Sequence, residues 1–210
     1  MLLVVAIGAC SEDNRGGAGR PPVSEAVTGG AGGPPVSEAV TAFNPGVNTT
    51  NRSFAVLNAQ ARTHRDELRT AALAHLHDRD ANLHYAAVYA LELTAEPGKG
   101  SAELEQMLGA ASATDRMLAA GSLISMGDKT AIPVLIAALS SSAPLAYQDP
   151  EQSAFEFAQA ELGYYTSQDF GLKAATGLAA VSATQPAWQK WWATRGSALR
   201  FDSTTRKYTP

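Results

Sequence analysis

Cysteine is almost absent from this 210-residue chain, which has only Cys10. One cysteine excludes a disulfide framework within the chain, a zinc site built from several thiolates, and a dithiol redox centre. Long apolar runs are lacking too. The N-terminal run from Leu2 to Ala9 has eight residues, whereas a helix that crosses a bilayer needs about 20. The sequence therefore predicts no transmembrane helix and no cofactor held by cysteine.

The apolar N-terminal run ends in small residues at Cys10, and polar sequence begins immediately after it. This order is typical of a secretory signal. The residues Ile7-Gly8-Ala9-Cys10 resemble the lipobox of bacterial lipoproteins, although no Lys or Arg precedes the run as in that family. The resemblance implies that residues 1–10 are a signal segment and that lipid on Cys10 anchors an exported chain in the bacterial cell envelope, on its periplasmic side or at the cell surface. The lipid would be its only membrane contact. The alternative is an ordinary thiol in an unstructured N terminus.

Residues 11–50 are rich in Gly, Ala, Pro, Ser and Thr and have neither helical nor strand periodicity. Such a composition buries too little apolar surface to offset the entropy of ordering, so we expect a disordered tether. The segment also contains a duplication. Residues 16–28 read GGAGRPPVSEAVT and residues 29–41 read GGAGGPPVSEAVT, which differ only at Arg20 and Gly33.

Beyond residue 51, apolar residues recur at spacings of three and four, which indicates helices. One stripe is Ile132, Leu135, Ile136 and Leu139, with Pro133 in the first turn, and the stripe before it is Met117, Ala120, Leu123 and Ile124. The turn at residues 127–130 would join the two into a helical hairpin and leave Lys129 exposed. Further helices are predicted to start at Asp149-Pro150 and at Thr184-Gln185-Pro186, with an added helix over 173–181. No strand pattern competes, so the predicted class is all-α.

The helical stripes repeat along the chain. Ala86, Ala87, Ala90 and Leu91 match Ala119, Ala120, Leu123 and Ile124 at an offset of 33 residues. Residues 116–139 resemble one full HEAT repeat of the short bacterial type, and residues 164–171 with 188–192 resemble a C-terminal element of bacterial HEAT-repeat proteins. The resemblance implies a short α-solenoid of antiparallel helix pairs over residues 51–196 that presents a surface to another protein. It carries over no catalytic residue and no cofactor.

Signals for catalysis or a specific metal are weak. His64, His75, His77 and His84 lack the spacing of a chelating motif, and we expect solvated histidines near a helix end. Asp169-Phe170-Gly171 spells the kinase metal-binding triplet without any other kinase motif. The leading hypothesis is therefore a non-catalytic, lipid-anchored interaction scaffold. An enzyme or lyase-type accessory subunit with a site in the solenoid groove, and a purely structural envelope component, remain alternatives.

The C-terminal part combines aromatic and basic residues. Trp188, Trp191 and Trp192 share one helix face, which favours a buried cap of the solenoid over an exposed platform for a ligand. Residues 188–210 hold five Lys or Arg against one acidic residue, whereas residues 51–187 hold 9 against 15. We predict a basic tail over 197–210 that touches phosphate or the acidic surface of a partner, or else docks on the acidic solenoid itself. The possible binding surface is thus the three tryptophans with Arg195 and Arg200. Nucleic acid is not expected, and no small-molecule substrate is indicated.

Overall fold

The computed structural model of the protein describes residues 34–43, 50–96, 100–146 and 152–209. The predicted signal segment, Cys10 and residues 11–33 of the predicted tether lie outside these ranges. Within them the chain is mostly helical, as the sequence predicted, and two pairs of very short strands are added.

Nine helices lie in the described residues: α1 (Val36–Thr41), α2 (Thr50–Thr63), α3 (Arg65–His75), α4 (Ala81–Thr94), α5 (Ala102–Met107), α6 (Ala113–Ser125), α7 (Ala131–Ala138), α8 (Ala154–Tyr165) and α9 (Gly177–Arg195). The strands are β1 (Pro144–Leu145), β2 (Gln152–Ser153), β3 (Arg200–Asp202) and β4 (Lys207–Thr209). Both strand pairs are antiparallel, β1 with β2 and β3 with β4, and the second has Phe201 opposite Tyr208.

The expectation of a tether as far as residue 50 is wrong for residues 34–43. They include α1, which packs on α2, α3 and α4. Val36, Ala39 and Val40 are buried, and so is Phe43 just beyond the helix. A stripe of one helical turn is too short to show a period in sequence, but its apolar side chains reach a groove that already exists between longer helices.

The two apolar stripes that match each other in sequence are both buried. Their eight side chains, Ala86, Ala87, Ala90, Leu91, Ala119, Ala120, Leu123 and Ile124, are each 0% exposed. The Asp80 carboxylate caps α4 by accepting from the N–H groups of Asn82 and Leu83, and the Ser112 hydroxyl accepts from the N–H of Asp115 in α6. These side chains satisfy amide groups that have no partner within their own helix.

Helices α2, α4, α6 and α8 pack in succession, and α7 packs on α6, α8 and α9. Helix α6 passes to α7 through Gly127, whose φ of +87° lies in the left-handed region that glycine tolerates. Pro133 lies in the first turn of α7, as predicted. Lys129 in the connecting turn is not an exposed residue: it is half-buried, and its Nζ donates to the carbonyl oxygens of Gly196 and Ser197, at 3.0 Å each.

Two predicted helix starts are wrong. Helix α8 begins at Ala154, where Ser153 and Glu156 form a capping box, because that reciprocal pair satisfies the first amides. Helix α9 runs through Pro186 without a new start, and it merges the two helices predicted at 173–181 and from Thr184. A proline inside a helix costs about 3 kcal/mol. Buried Val181 and Trp188 on either side of it supply packing that offsets this cost.

The predicted basic tail at 197–210 is instead a folded part of the domain. Strands β3 and β4 form a hairpin, which we call the C-terminal hairpin, and Tyr208 on β4 is 2% exposed. The rings of Tyr208 and Phe201 lie 5.0 Å apart between centroids. Cross-strand aromatic pairs stabilise a hairpin, and apolar burial fixes it to the helices, so the fold continues past the predicted boundary at residue 196.

Candidate functional site

Two acidic side chains lie inside the helical stack, on the helices that flank α6. Glu161 of α8 is 1% exposed. Glu92 of α4 is partly buried, and its Oε2 atom is shielded from solvent without a hydrogen-bond partner among the described residues. The Ser125 hydroxyl of α6 donates to Oε1 of Glu92 at 2.5 Å. Ser125 and Glu92 are 33 residues apart, which equals the offset between the two matching apolar stripes of the sequence.

The C-terminal hairpin brings positive charge to this acid pair. Arg206 has a positive φ of 52° and donates from Nη2 to the carbonyl oxygen of Ser125 at 3.4 Å. Lys207 donates from Nζ to the carbonyl oxygen of Tyr164 and lies 3.9 Å from the centroid of that ring. Both carbonyls are at helix C-terminal ends, where the helix dipole favours cations. Arg206 and Lys207 are thus used in contacts within the molecule.

Burial raises the pKa of Glu92 to about 7 and that of Glu161 to about 8, from an ordinary value of 4.5. The Glu92 carboxylate adds to the increase at Glu161, and the Arg206 charge opposes it in both groups. Burial also raises the pKa of the Tyr165 hydroxyl far above its ordinary range. Near neutral pH the acid pair therefore retains a proton, because a buried carboxylate loses its hydration.

A protonated carboxyl can act as a general acid where a substrate reaches it. Neither of the two best-formed grooves on the described residues is lined by Glu92 or Glu161. Across the same described part of the chain, no group of three or more His, Cys, Asp or Glu side chains could hold a metal ion. The arrangement supports a pH-sensitive structural contact between the hairpin and the helices.

Sequence reasoning missed the acid pair, although one signal was present. Glu161 interrupts an apolar stripe made of Phe157, Ala158, Leu162 and Tyr165, and all four of these side chains are buried. A charged residue on a buried stripe needs a special environment, since a lone charge in an apolar interior is costly. The partner Arg206 could not be assigned in the same way, because nothing local links a residue in the hairpin to α8.

The tryptophans are mainly core residues, as favoured from their spacing. Trp188 is 0% exposed and Trp191 is 8% exposed, so neither can form a binding surface. Trp192 is half-buried, and Arg195 and Arg200 are exposed. Phe170 is 39% exposed and meets Trp188 edge to face at 5.1 Å between ring centroids. The proposed surface of three tryptophans and two arginines is thus reduced to the two arginines and part of Trp192.

The histidines do not converge, and one of them is not solvated. His84 is 8% exposed, with Nδ1 at 2.5 Å from the carbonyl oxygen of Leu76 and Nε2 at 3.3 Å from a carboxylate oxygen of Asp115. His75 lies 3.1 Å from the Asp78 carboxylate at the end of α3. His64 and His77 are exposed. The expected solvated group is therefore wrong for His84, which links α4 to α6.

An apolar groove lies on another part of the stack. It has a volume of about 370 Å³ and is lined by residues of α6 and α7 and of the segments next to them, including Leu108, Met117, Pro133, Val134 and Ala138. Arg116 also lines it, and its Nη1 donates to the carbonyl oxygens of Ala110 and Ala111 at 2.6 and 2.7 Å. The groove is thus a shallow apolar surface with one guanidinium beside it.

Comparison with known proteins finds no matching family model, no matching curated protein and no matching solved structure. In the part of the chain that the structure describes, no helix is long and apolar enough to cross a membrane.

Proposed function

We propose that this protein is a non-catalytic scaffold in which a small HEAT-like α-solenoid binds a segment of another envelope protein. Support for the solenoid comes from the order of packing, in which α2, α4, α6 and α8 follow one another. Further support comes from the Ser125–Glu92 hydrogen bond, which spans the repeat offset. In a solenoid each unit contacts its neighbours through corresponding positions.

The observation that carries the binding proposal is the apolar groove beside α6 and α7. Val134 is only half-buried, and Pro133 and Ala137 are exposed, although all three lie on the groove. Small and apolar side chains in a shallow groove suit a short helix that presents apolar residues on one face. The same stack already holds a helix of this kind, because α1 lies against α2, α3 and α4 through Val36 and Val40.

Export and anchoring belong to the same proposal. The lipobox-like residues before Cys10 support lipid attachment there, and three acyl chains suffice for stable membrane binding. The solenoid would then meet partners at the membrane surface of the cell envelope.

The test uses the full chain with Cys10 intact, expressed in bacteria with a photo-reactive amino acid at Val134. We expect a discrete protein adduct from position 134 and none from position 180, an exposed alanine on α9. Ala137→Arg should abolish the adduct by filling the groove, whereas the matched control Ala180→Arg should leave it unchanged. Equal labelling from positions 134 and 180 would show that the groove has no partner.

A further inference from the structure

The site that holds α1 is defined by a small set of contacts. Val40 is 0% exposed, and Val36 and Ala39 are also buried. The Gln60 side-chain amide of α2 donates to the carbonyl oxygen of Pro34 at 2.9 Å. Residues 34–41, which read PPVSEAVT, therefore dock through two valines, one alanine and one backbone carbonyl. We call the surface that receives them the α1 seat.

Phe43 extends this docking beyond the helix. Its ring lies 5.1 Å from Phe54 and 5.7 Å from Tyr85 between centroids, and Phe43 is 4% exposed. Fully burying a phenylalanine side chain contributes about 1.5 to 3 kcal/mol, which is roughly a 10- to 100-fold change in an equilibrium constant. The aromatic cluster thus adds a second contribution to the docking of this segment.

The chain contains the same octapeptide twice. Residues 21–28 also read PPVSEAVT and are identical to residues 34–41 at every position. Every contact that the α1 seat makes with residues 34–41 is therefore available to residues 21–28. The two copies are followed by different residues, and the position that corresponds to Phe43 is Gly30.

We infer that the α1 seat is a docking site for this octapeptide and that residues 21–28 of the same chain are its second occupant. Two differences set the balance between the copies. Docking of residues 21–28 leaves 21 residues before α2 where docking of residues 34–41 leaves eight. Loop-closure entropy then disfavours the first copy by about fourfold. The missing phenylalanine disfavours it by roughly another 10- to 100-fold.

With this balance, the second copy, residues 34–41, fills the α1 seat in nearly all molecules. The first copy, residues 21–28, binds there when the second copy is removed. Because the two occupants share every docking side chain of the octapeptide, exchange between them needs no change in α2, α3 or α4. The phenylalanine that follows the octapeptide determines which copy occupies the α1 seat. Moving it from position 43 to position 30 should therefore favour the first copy.

The experiment moves the phenylalanine in the full chain by combining Gly30→Phe with Phe43→Gly, and we call this double variant the exchanged chain. Phe43→Gly alone should reduce the folding equilibrium constant by roughly 100-fold or more, because it removes a buried aromatic side chain and leaves a cavity. The exchanged chain should recover to within about fourfold of the wild-type value, the cost of the longer loop. Denaturant unfolding followed by circular dichroism measures both. Failure of Gly30→Phe to restore stability would overturn the inference.

A reciprocal pair of variants tests which copy fills the seat. In the wild-type chain, Val36→Asp with Val40→Asp should destabilise, and Val23→Asp with Val27→Asp should have no effect. In the exchanged chain, Val23→Asp with Val27→Asp should destabilise, and Val36→Asp with Val40→Asp should have no effect. If Val36→Asp with Val40→Asp remains as damaging after the exchange, the first copy does not reach the seat. Light scattering should show a monomer throughout, and a rescue that appears only in a dimer would assign the occupant to a second molecule and overturn docking within the chain.

Discussion

Residues 34–43 and the C-terminal hairpin both pack on the helices that lie between them, but different forces hold them. The N-terminal segment docks by apolar burial, with Val40 at 0% exposure and Phe43 in an aromatic cluster. The hairpin adds Arg206, whose charge lowers the pKa of the Glu92 and Glu161 carboxyl groups, and both Arg206 and Lys207 donate to carbonyls at helix C-terminal ends. Apolar burial does not titrate, whereas buried carboxyl groups do. We therefore expect the contribution of the hairpin to the free energy of unfolding to depend on pH, and that of the N-terminal segment not to.

The largest effect is expected at the N-terminal segment. Phe43→Ala should reduce the free energy of unfolding by about 3 to 5 kcal/mol, because a buried aromatic side chain is lost from its cluster. The ring contacts of Phe43 are with Phe54 and Tyr85, which are uncharged between pH 5 and pH 8.5, so the loss should be equal at these two pH values. Urea unfolding at both pH values measures it. A loss that differs by more than about 1 kcal/mol between the two pH values would show that a titrating group contributes to the docking of residues 34–43.

The second prediction concerns the acid pair. Both folded-state pKa values, about 7 and about 8, lie above the ordinary value of 4.5. The folded state therefore binds more protons than the unfolded state, and its stability should fall as the pH rises from 5 through 8. The Glu161 carboxyl lowers the free energy of unfolding by roughly 4 to 5 kcal/mol at pH 8.5 and by about 1 kcal/mol at pH 5, and Glu161→Gln should remove most of this penalty. Urea midpoints across this pH range provide the measurement.

A matched control for this pH effect is Glu156→Gln, which alters a carboxylate of the capping box at the start of α8. A capping box accepts Gln as well as Glu, so this change should alter the stability by less than about 1 kcal/mol and should not change the slope of stability against pH above 5. If Glu161→Gln left that slope unchanged as well, the acid pair would not be the titrating group.

A smaller effect is expected at the turn between α6 and α7. Lys129 donates to two carbonyl oxygens just beyond α9, so Lys129→Ala should destabilise by about 1 kcal/mol. The matched control is Lys190→Ala, an exposed lysine on α9, which should stay within about 0.5 kcal/mol. Thermal melts of the two variants make the comparison, and equal melting temperatures would mean that the Lys129 contacts contribute nothing.

The smallest effect on stability is expected at Cys10, which lies outside the described residues. Cys10→Ala should leave unfolding unchanged within about 0.5 kcal/mol. It should nevertheless move the protein from the membrane fraction to the soluble fraction, because lipid at this residue is the proposed anchor. The measurement is fractionation of cells that express either the wild-type chain or Cys10→Ala. An unchanged distribution between the membrane and soluble fractions would contradict the anchoring proposal.

Whether a helix could be predicted from the sequence depended on the length of its apolar pattern. Helices α6 and α7 were predictable because their apolar stripes recur over two turns, and Leu135 and Ile136 are buried as expected. Helix α1 was not, since six residues give a single apolar turn whose burial depends on the groove that receives it. The path of α9 through Pro186 also escaped prediction, because tertiary packing there outweighs a local helix breaker.

The candidate site was harder to predict than the fold. Arg206 and Ser125 are 81 residues apart in sequence, and their contact exists only when the hairpin lies on α6. The basic composition of residues 188–210 predicted a surface contact, but composition alone could not indicate that Arg206 and Lys207 donate to backbone carbonyls at helix ends. The buried Glu161 was visible as an exception on its stripe, whereas its effect on pH dependence requires the packed environment.

The acid pair also makes folding of this protein a reaction that consumes protons. At pH 7.5 most of the Glu161 carboxyl groups are protonated in the folded state and nearly all are ionised in the unfolded chain, because the folded-state pKa is about 8. Unfolding near neutral pH therefore releases a proton to the buffer, which absorbs it with its own heat of ionisation. The calorimetric enthalpy of unfolding should consequently differ between phosphate and Tris at the same pH, and this difference counts the protons held between the helices.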